Sequence, residues 1–168
     1  MENRFKNFIR KNNLLADCSK LLLAVSGGPD SLAMLELFYK NREELKLELA
    51  AAHVDHMLRE ESGAEADFVE EISQKKGIKL FRRQINLPEI IKRNNLSDEA
   101  AARKIRFDFF KEIMEEYNFD LLALAHHRDD QAETVLLNLF RGAGLQGLSG
   151  IQPAAEFNGI EIIHPMLD

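Results

Sequence analysis

Leu21-Leu22-Leu23-Ala24-Val25-Ser26-Gly27-Gly28-Pro29-Asp30-Ser31-Leu32-Ala33-Met34-Leu35 is the stretch whose reading decides the fold. Its first five residues form an unbroken apolar run of strand length, as a buried strand requires. After the turn, Leu32, Leu35 and Tyr39 recur at helical spacing. Gly27 and Gly28 let the backbone reverse sharply and remove side chains that would hold a ligand off. Pro29 suits a first helical turn, where its missing N–H would lack a partner anyway. The turn is therefore predicted to aim the unpaired N–H groups and positive dipole end of a helix at an anion, with the Ser26 and Ser31 hydroxyls as further donors. It is neither GxxxxGK[ST] nor GxGxxG. The plainer alternative is a strand-to-helix turn with Asp30 as its N-cap.

Outward from this turn, strands and helices alternate. A short amphipathic helix over 2–13, with Phe5, Phe8 and Ile9 on one side, precedes the first strand. Leu47 to Val54 reads as a second strand. A helix over 61–76 follows, with Ala64, Phe68 and Ile72 inward, and Gly77 stops it. Residues 78–85 are a third strand, and 88–96 show no clear pattern. Ser97 is predicted to cap a long helix reaching Tyr117, with Ala102, Ile105, Phe109, Ile113 and Tyr117 inward. Then come a fourth strand (121–125), a helix (130–141), a loop with glycines at 142, 144, 147 and 150, and a fifth strand (159–163). The pattern predicts an α/β domain: a doubly wound, five-stranded, mostly parallel sheet with helices on both faces.

The 168 residues suffice for one domain with a real core. The net charge of -6 argues against holding nucleic acid by bulk electrostatics and leaves room only for a local basic patch. Cys18, the single cysteine, excludes an internal disulfide or CxxC pair and is expected to pack rather than react. There is no apolar run of membrane-spanning length and no signal-peptide core, so the expectation is a cytoplasmic protein without a membrane partner.

Doubly wound sheets bind ligands at the carboxyl ends of their strands. Here those ends carry Ser26-Gly27-Gly28, His53-Val54-Asp55-His56, Gln84-Ile85-Asn86, His126-His127-Arg128-Asp129-Asp130 and His164, which together hold all five histidines. His126 and His127, adjacent in extended chain, point opposite ways and make poor joint metal ligands. Asp130-x-x-Glu133 is either a capping box with Asp130 as N-cap or a carboxylate pair for a cationic substrate or Mg²⁺. Arg103 and Arg106 share a helix face, as a solvated basic stripe paired with acids such as Glu99 or as a clamp on phosphates. The segment from Arg141 and Gly142 through Gly144 and Gly147 to Gly150 is either a flexible linker or a shaped substrate loop docked by Leu145, Leu148 and Ile151.

Taken together, these motifs resemble the PP-loop (N-type) ATP pyrophosphatase superfamily and, within it, the tRNA(Ile)-lysidine synthetase family. Ser26-Gly27-Gly28-Pro29-Asp30-Ser31 matches SGGxDS, and residues 53–59 look like HVxHxLR. Residues 99–107 look like the ARxxRY helix, 125–134 like HxxDDQxET, and 141–150 like RGxGxxGLxG. Phe107 stands where the family usually has tyrosine, and His164-Pro165-Met166-Leu167 where an Arg-Pro-Leu-Leu ending is common.

The resemblance implies an adenine nucleotide alpha hydrolase-like fold. It also implies a reaction in which ATP adenylates the C2 oxygen of the wobble cytidine of tRNA(Ile) with a CAU anticodon, and free L-lysine then displaces AMP. It places ATP at Ser26, Gly27, Gly28, Pro29, Asp30 and Ser31 with His53 and Asp55, and Mg²⁺ at Asp30. Lysine falls to Asp130 and Glu133, catalysis to Asp30, Asp130, Arg103 and Arg106, and the substrate loop to Arg141, Gly142, Gly144 and Gly147. It further leads us to expect one PP-loop domain over 1–168 without the family's C-terminal tRNA-binding domains, and a possible homodimer. The rivals are a thiolating PP-loop enzyme, which needs more cysteines than Cys18, an ammonia-using amide ligase, which the 125–134 motif does not fit, and a non-catalytic adenine-nucleotide module.

Overall fold

The computed structural model describes residues 1–55, 62–85, 98–142 and 149–167. In chain order the elements are α1 (Glu2–Lys11), β1 (Lys20–Ala24), α2 (Pro29–Asn41), β2 (Glu48–Asp55), α3 (Ser62–Lys76), β3 (Lys79–Gln84), α4 (Asp98–Tyr117), β4 (Leu121–Ala123), α5 (Arg128–Phe140), β5 (Ala154–Phe157) and β6 (Ile160–Ile163). The sheet order is β3-β2-β1-β4-β6-β5. Neighbours run parallel except β5 and β6.

β1 is central because each of its faces has apolar partners. Leu21, Leu22 and Leu23 pair with Leu49, Ala50 and Ala51 on one side and Leu121, Leu122 and Ala123 on the other. Leu21 and Leu23 pack into a core with Phe5 and Ile9 of α1, Met34 and Phe38 of α2, and Val69 of α3. Leu22 joins Ala50, Ala52 and Leu122 against Phe107, Phe110 and Ile113 of α4. All three leucines are fully buried, each stabilising the fold by roughly 1.5–3 kcal/mol. Period-two alternation thus sends successive leucines to opposite cores, which is why a run with no polar residue is a strand covered twice. The chain turns from β1 toward β2 on one side and places β4 on the other, so a crevice opens at the carboxyl ends of β1 and β4.

The fold class agrees with the reading from sequence, but the sheet has six strands rather than five. Ala154–Phe157, which the sequence reading assigns to no element, forms β5. It is an edge strand with three of its four residues exposed, so it carries no burial pattern. The signal that finds it is Asn158-Gly159, where positive φ at both residues (56° and 77°) makes the tight hairpin to β6.

α3 is also rotated from expectation. Ala66, Val69 and Ser73 are buried, whereas Phe68 is 48% exposed, because α3 lays Glu65 and Val69 against the glycine turn. α5 begins at Arg128 rather than 130, and none of its residues is buried. Burial, aided by the nearby charge of Asp120, pushes the Cys18 thiol up to about 12, consistent with a packing role. No described helix is long and apolar enough to cross a membrane. The expectations at His56, 88–96, Ser97, Gly144 and Gly147 lie outside the described residues.

Candidate active site

The glycine turn is braced from within. Gly27 has φ +93°, and a Cβ on it would touch Glu65 Cβ and Val69 Cγ2 at 3.5 Å, so the turn sits directly against α3. Gly28 is the N-cap of α2, with Pro29 at the first helical position. Asp30 therefore does not cap the helix, and its carboxylate is left for other work. The buried Ser31 hydroxyl donates to the Gly28 carbonyl at 2.8 Å. Ser26 donates to Ser31 Oγ at 3.2 Å and accepts the Gly28 N–H at 3.3 Å. The two hydroxyls hold the turn's shape, while the N–H groups of the first helical turn have no intrahelical acceptor.

This turn forms one wall of a cavity of about 480 Å³, with Ser26, Gly28, Asp30 and Ser31 on its surface. β2 contributes His53 and Asp55, α4 contributes Arg106 and Phe110, and the end of β4 and start of α5 contribute His126, His127 and Asp130. Among the described residues, three buried side-chain polar atoms have no hydrogen-bond partner: His53 Nε2, Arg106 Nε and His126 Nδ1. All three belong to walls of this one cavity. Buried polar atoms are ordinarily paired, so the clustering marks where a polar ligand belongs.

Each orphan has a definite chemistry. His53 donates from Nδ1 to the Val25 carbonyl at 2.8 Å, which leaves Nε2 as an acceptor. Burial, and secondarily Arg103, lowers the pKa of Arg106, and its buried Nε has no hydrogen-bond partner among the described residues. A phosphate in the cavity would supply one. His126 stacks on His164 with ring centroids 4.9 Å apart. Burial, reinforced by His164, lowers His126 to about 4 and keeps it neutral. Burial likewise lowers His164, which holds the Gln152 carbonyl at 2.7 Å through Nδ1.

The expected constellation is partly split by the fold. Arg106 faces the cavity, while Arg103 lies outside it, its guanidinium over the rings of Phe107 and Phe157 at 5.1 and 5.0 Å. The pair is thus not a joint clamp in this conformation. Asp55 is buried and accepts from Gln84 Nε2 at 3.3 Å. Asp130 lines the cavity, whereas Glu133 is exposed and lines no described cavity wall. The capping box exists, but one turn earlier than expected. His127 is the N-cap and accepts the Asp129 N–H at 3.2 Å, and Asp130 accepts the His127 N–H at 2.8 Å. Arg141 and Gly142 are exposed at the end of α5.

His126 and His127, expected from the sequence to point to opposite sides with one facing the site, both line the glycine-turn cavity, and His127 also approaches two carboxylates. Its Nε2 lies 3.5 Å from Asp30 Oδ2 and 3.6 Å from Asp130 Oδ2, linking the starts of α2 and α5. Beyond it opens a second cavity of about 540 Å³, also bounded by Asp30 and His127.

A model of the PP-loop domain family matches residues 1–168. The chain belongs to the PP-loop domain family. Among curated relatives of this PP-loop chain, the tRNA(Ile)-lysidine synthase of Clostridium perfringens is 40% identical over 168 residues, 99% of this chain and 35% of that protein. The tRNA(Ile)-lysidine synthase of Geobacillus kaustophilus is also 40% identical, over 99% of this chain and 36% of that one. The bifunctional protein TilS/HprT of Listeria monocytogenes is 40% identical over 99% of this chain and 26% of its own. The PP-loop chain thus spans about a third or less of the length of these relatives. Among solved structures, the U34-tRNA thiolase NcsA from Methanococcus maripaludis has a TM-score of 0.74 at 23% identity, covering 98% of this chain and 58% of that one. That likeness establishes a shared fold.

Proposed function

We propose that this PP-loop domain catalyses ATP-dependent joining of free L-lysine to C2 of the wobble cytidine of tRNA(Ile) with a CAU anticodon, in the cytoplasm. What carries the reading is Arg106, whose buried Nε has no partner among the described residues, lining one cavity with Asp30 and Asp130. The chain around it is 40% identical, nearly end to end, to proteins named tRNA(Ile)-lysidine synthase.

In this reading the C2 oxygen attacks the α-phosphorus of ATP and pyrophosphate leaves. The amine of lysine then bonds to C2 as the C2–O bond breaks and AMP departs. Residues 26–31 hold the phosphates against the start of α2, with His53 and Asp55 completing the nucleotide's surroundings. Arg106 neutralises phosphate charge, while Arg103 stands outside the cavity over Phe107 and Phe157. Mg²⁺, which proteins usually hold by one or two carboxylates plus substrate phosphates, fits Asp30 with Asp130 nearby, and it would offset charge on the departing pyrophosphate. Lysine's amine, with a reference pKa of about 10.4, arrives protonated and needs a carboxylate to bind it and take its proton; Asp130 serves this, with Glu133 one turn further on.

Sulfur transfer finds no support among these residues. Cys18 bonds the carbonyl of Lys20 at the opposite end of β1. The test is AMP formation from ATP by the full chain. It should require lysine and tRNA(Ile) together; AMP formation independent of either, or none with both, would refute the proposal.

A further inference from the structure

α5 lies on the domain with its apolar side outward. Its half-buried inner positions include Gln131, Thr134, Val135 and Asn138, three of them polar. Its outer positions carry Leu136 (53% exposed), Leu137 (45%), Leu139 (56%) and Phe140 (84%). Among the described residues, these are four of the six exposed large hydrophobic side chains. Such residues scattered singly are ordinary on a surface, but four within five positions of one helix form the kind of patch that marks an interface.

We infer that this face pairs with the same face of a second copy of the chain, the two α5 helices lying antiparallel across a twofold axis. The pairing goes beyond the reaction proposed above and does not depend on it. A twofold interface must be its own complement, so that a residue at one end of the patch meets, in the other copy, a residue from the opposite end. α5 meets that demand. Glu133, Leu136, Leu137 and Phe140 follow at the spacing of a single helical stripe, and Arg141, the C-cap, stands at its edge. Glu133 and Arg141 are about 12 Å apart along the axis, too far to pair within one helix. Turned antiparallel about a point near Leu137, the leucines of the two copies face each other. Glu133 of each copy then comes level with Arg141 of the other.

This charge complementarity is what selects the occupant. A nucleic acid would gain little from the leucines, and a lipid surface has no use for one charge of each sign at opposite ends of the stripe. No stripe residue lines either cavity, so pairing leaves both cavity walls as they are. Four side chains, three of them about half exposed, provide less than the roughly 800 Å² per partner of a standard interface, so the dimer should be weak, with a dissociation constant on the order of 10 μM.

The experiment is sedimentation equilibrium of the full chain over concentrations reaching roughly tenfold to either side of that constant. A reversible monomer–dimer equilibrium is expected. Phe140→Glu should raise the dissociation constant by about tenfold or more while the melting temperature of the dilute chain stays unchanged, since the residue is 84% exposed. Glu133→Arg and Arg141→Glu should each weaken pairing several-fold, because each sets like charges together, and the double exchange should restore the original constant. A role confined to one chain would show no such restoration. A chain that stays monomeric throughout, a dimer indifferent to Phe140→Glu, or a double exchange no tighter than the single ones would each overturn the pairing.

Discussion

His127 Nε2 stands 3.5 Å from Asp30 Oδ2, bringing together the first turns of two helices that are distant in the chain. The contact turns an N-cap residue of α5 into a neighbour of the glycine turn. It also sets Asp30 on the boundary between two cavities.

Asp30 lies in the first turn of α2, takes no part in capping, and has a side chain 55% exposed. Asp30→Asn should therefore cost stability only about 0.3–1 kcal/mol, the worth of a carboxylate near a helix N-terminus. Pyrophosphate release should fall by about 10²–10³, as when one preorganised electrostatic group is lost from an active site. Rapid-quench measurement of pyrophosphate beside a thermal melt checks both. A variant that releases pyrophosphate at the unaltered rate would remove Asp30 from the nucleotide's surroundings.

Asp130 has two tasks that can be separated. Asp130→Asn keeps an oxygen to accept the His127 N–H, now made at 2.8 Å, so the melting temperature should barely move. It loses the negative charge that binds an ammonium, so lysine-dependent turnover should collapse. Glu133→Gln should have the milder effect, because Glu133 is exposed and outside both cavity walls. Lysine KM and kcat for the two variants decide the ranking. Near-normal kinetics in Asp130→Asn would leave that carboxylate only its cap.

Gly142 and Gly150 both have positive φ (70° and 63°), but their surroundings differ. A Cβ on Gly142 meets no atom of the described residues within 4 Å, whereas one on Gly150 would lie 2.5 Å from Gln131 Oε1. That same oxygen accepts the Ile151 N–H and ties the returning chain to α5. Gly142→Ala should cost about 1–2 kcal/mol from backbone strain. Gly150→Ala should cost about 1 kcal/mol more, since Gln131 must give up its hydrogen bond. Denaturant titrations in a Gln131→Ala background should bring the two costs together; a difference that persists would place its origin elsewhere.

His126 and His164 make stability depend on pH in a defined direction. Burial, with His164 adding to it, holds His126 down to about 4 in the folded state. In the unfolded chain a histidine takes its proton near 6.5. As pH falls from about 6.5 to about 4, the unfolded state therefore binds protons that the folded state refuses, and stability declines across that window. His164, also lowered chiefly by burial, acts in the same sense. Melting temperatures of the parent and His126→Gln should converge as the pH is lowered through this range. Parallel curves would show that the buried pair does not contribute.

Features set by neighbours in the chain were legible in the residues alone. The leucine run before Ser26, the paired glycines and Pro29 each act on the backbone within a few residues. They determined the strand, the turn and the helix, and alternation of such units determined the sheet. Asp30, Asp130, His53 and Arg106 were legible as candidates because strand ends and helix turns are local positions. The sixth strand was not, because an exposed edge strand buries nothing and leaves only its Asn158-Gly159 hairpin as a sign. Only the tertiary structure decided that Arg106 enters the cavity while Arg103 stacks on Phe107 and Phe157, that α3 buries Val69 rather than Phe68, and that His127 meets Asp30. Those outcomes depend on how far each helix rotates when packed on the sheet. Rotation is settled by contacts between elements, as where Glu65 and Val69 of α3 lie beside Gly27, and no periodicity within a single helix encodes those contacts.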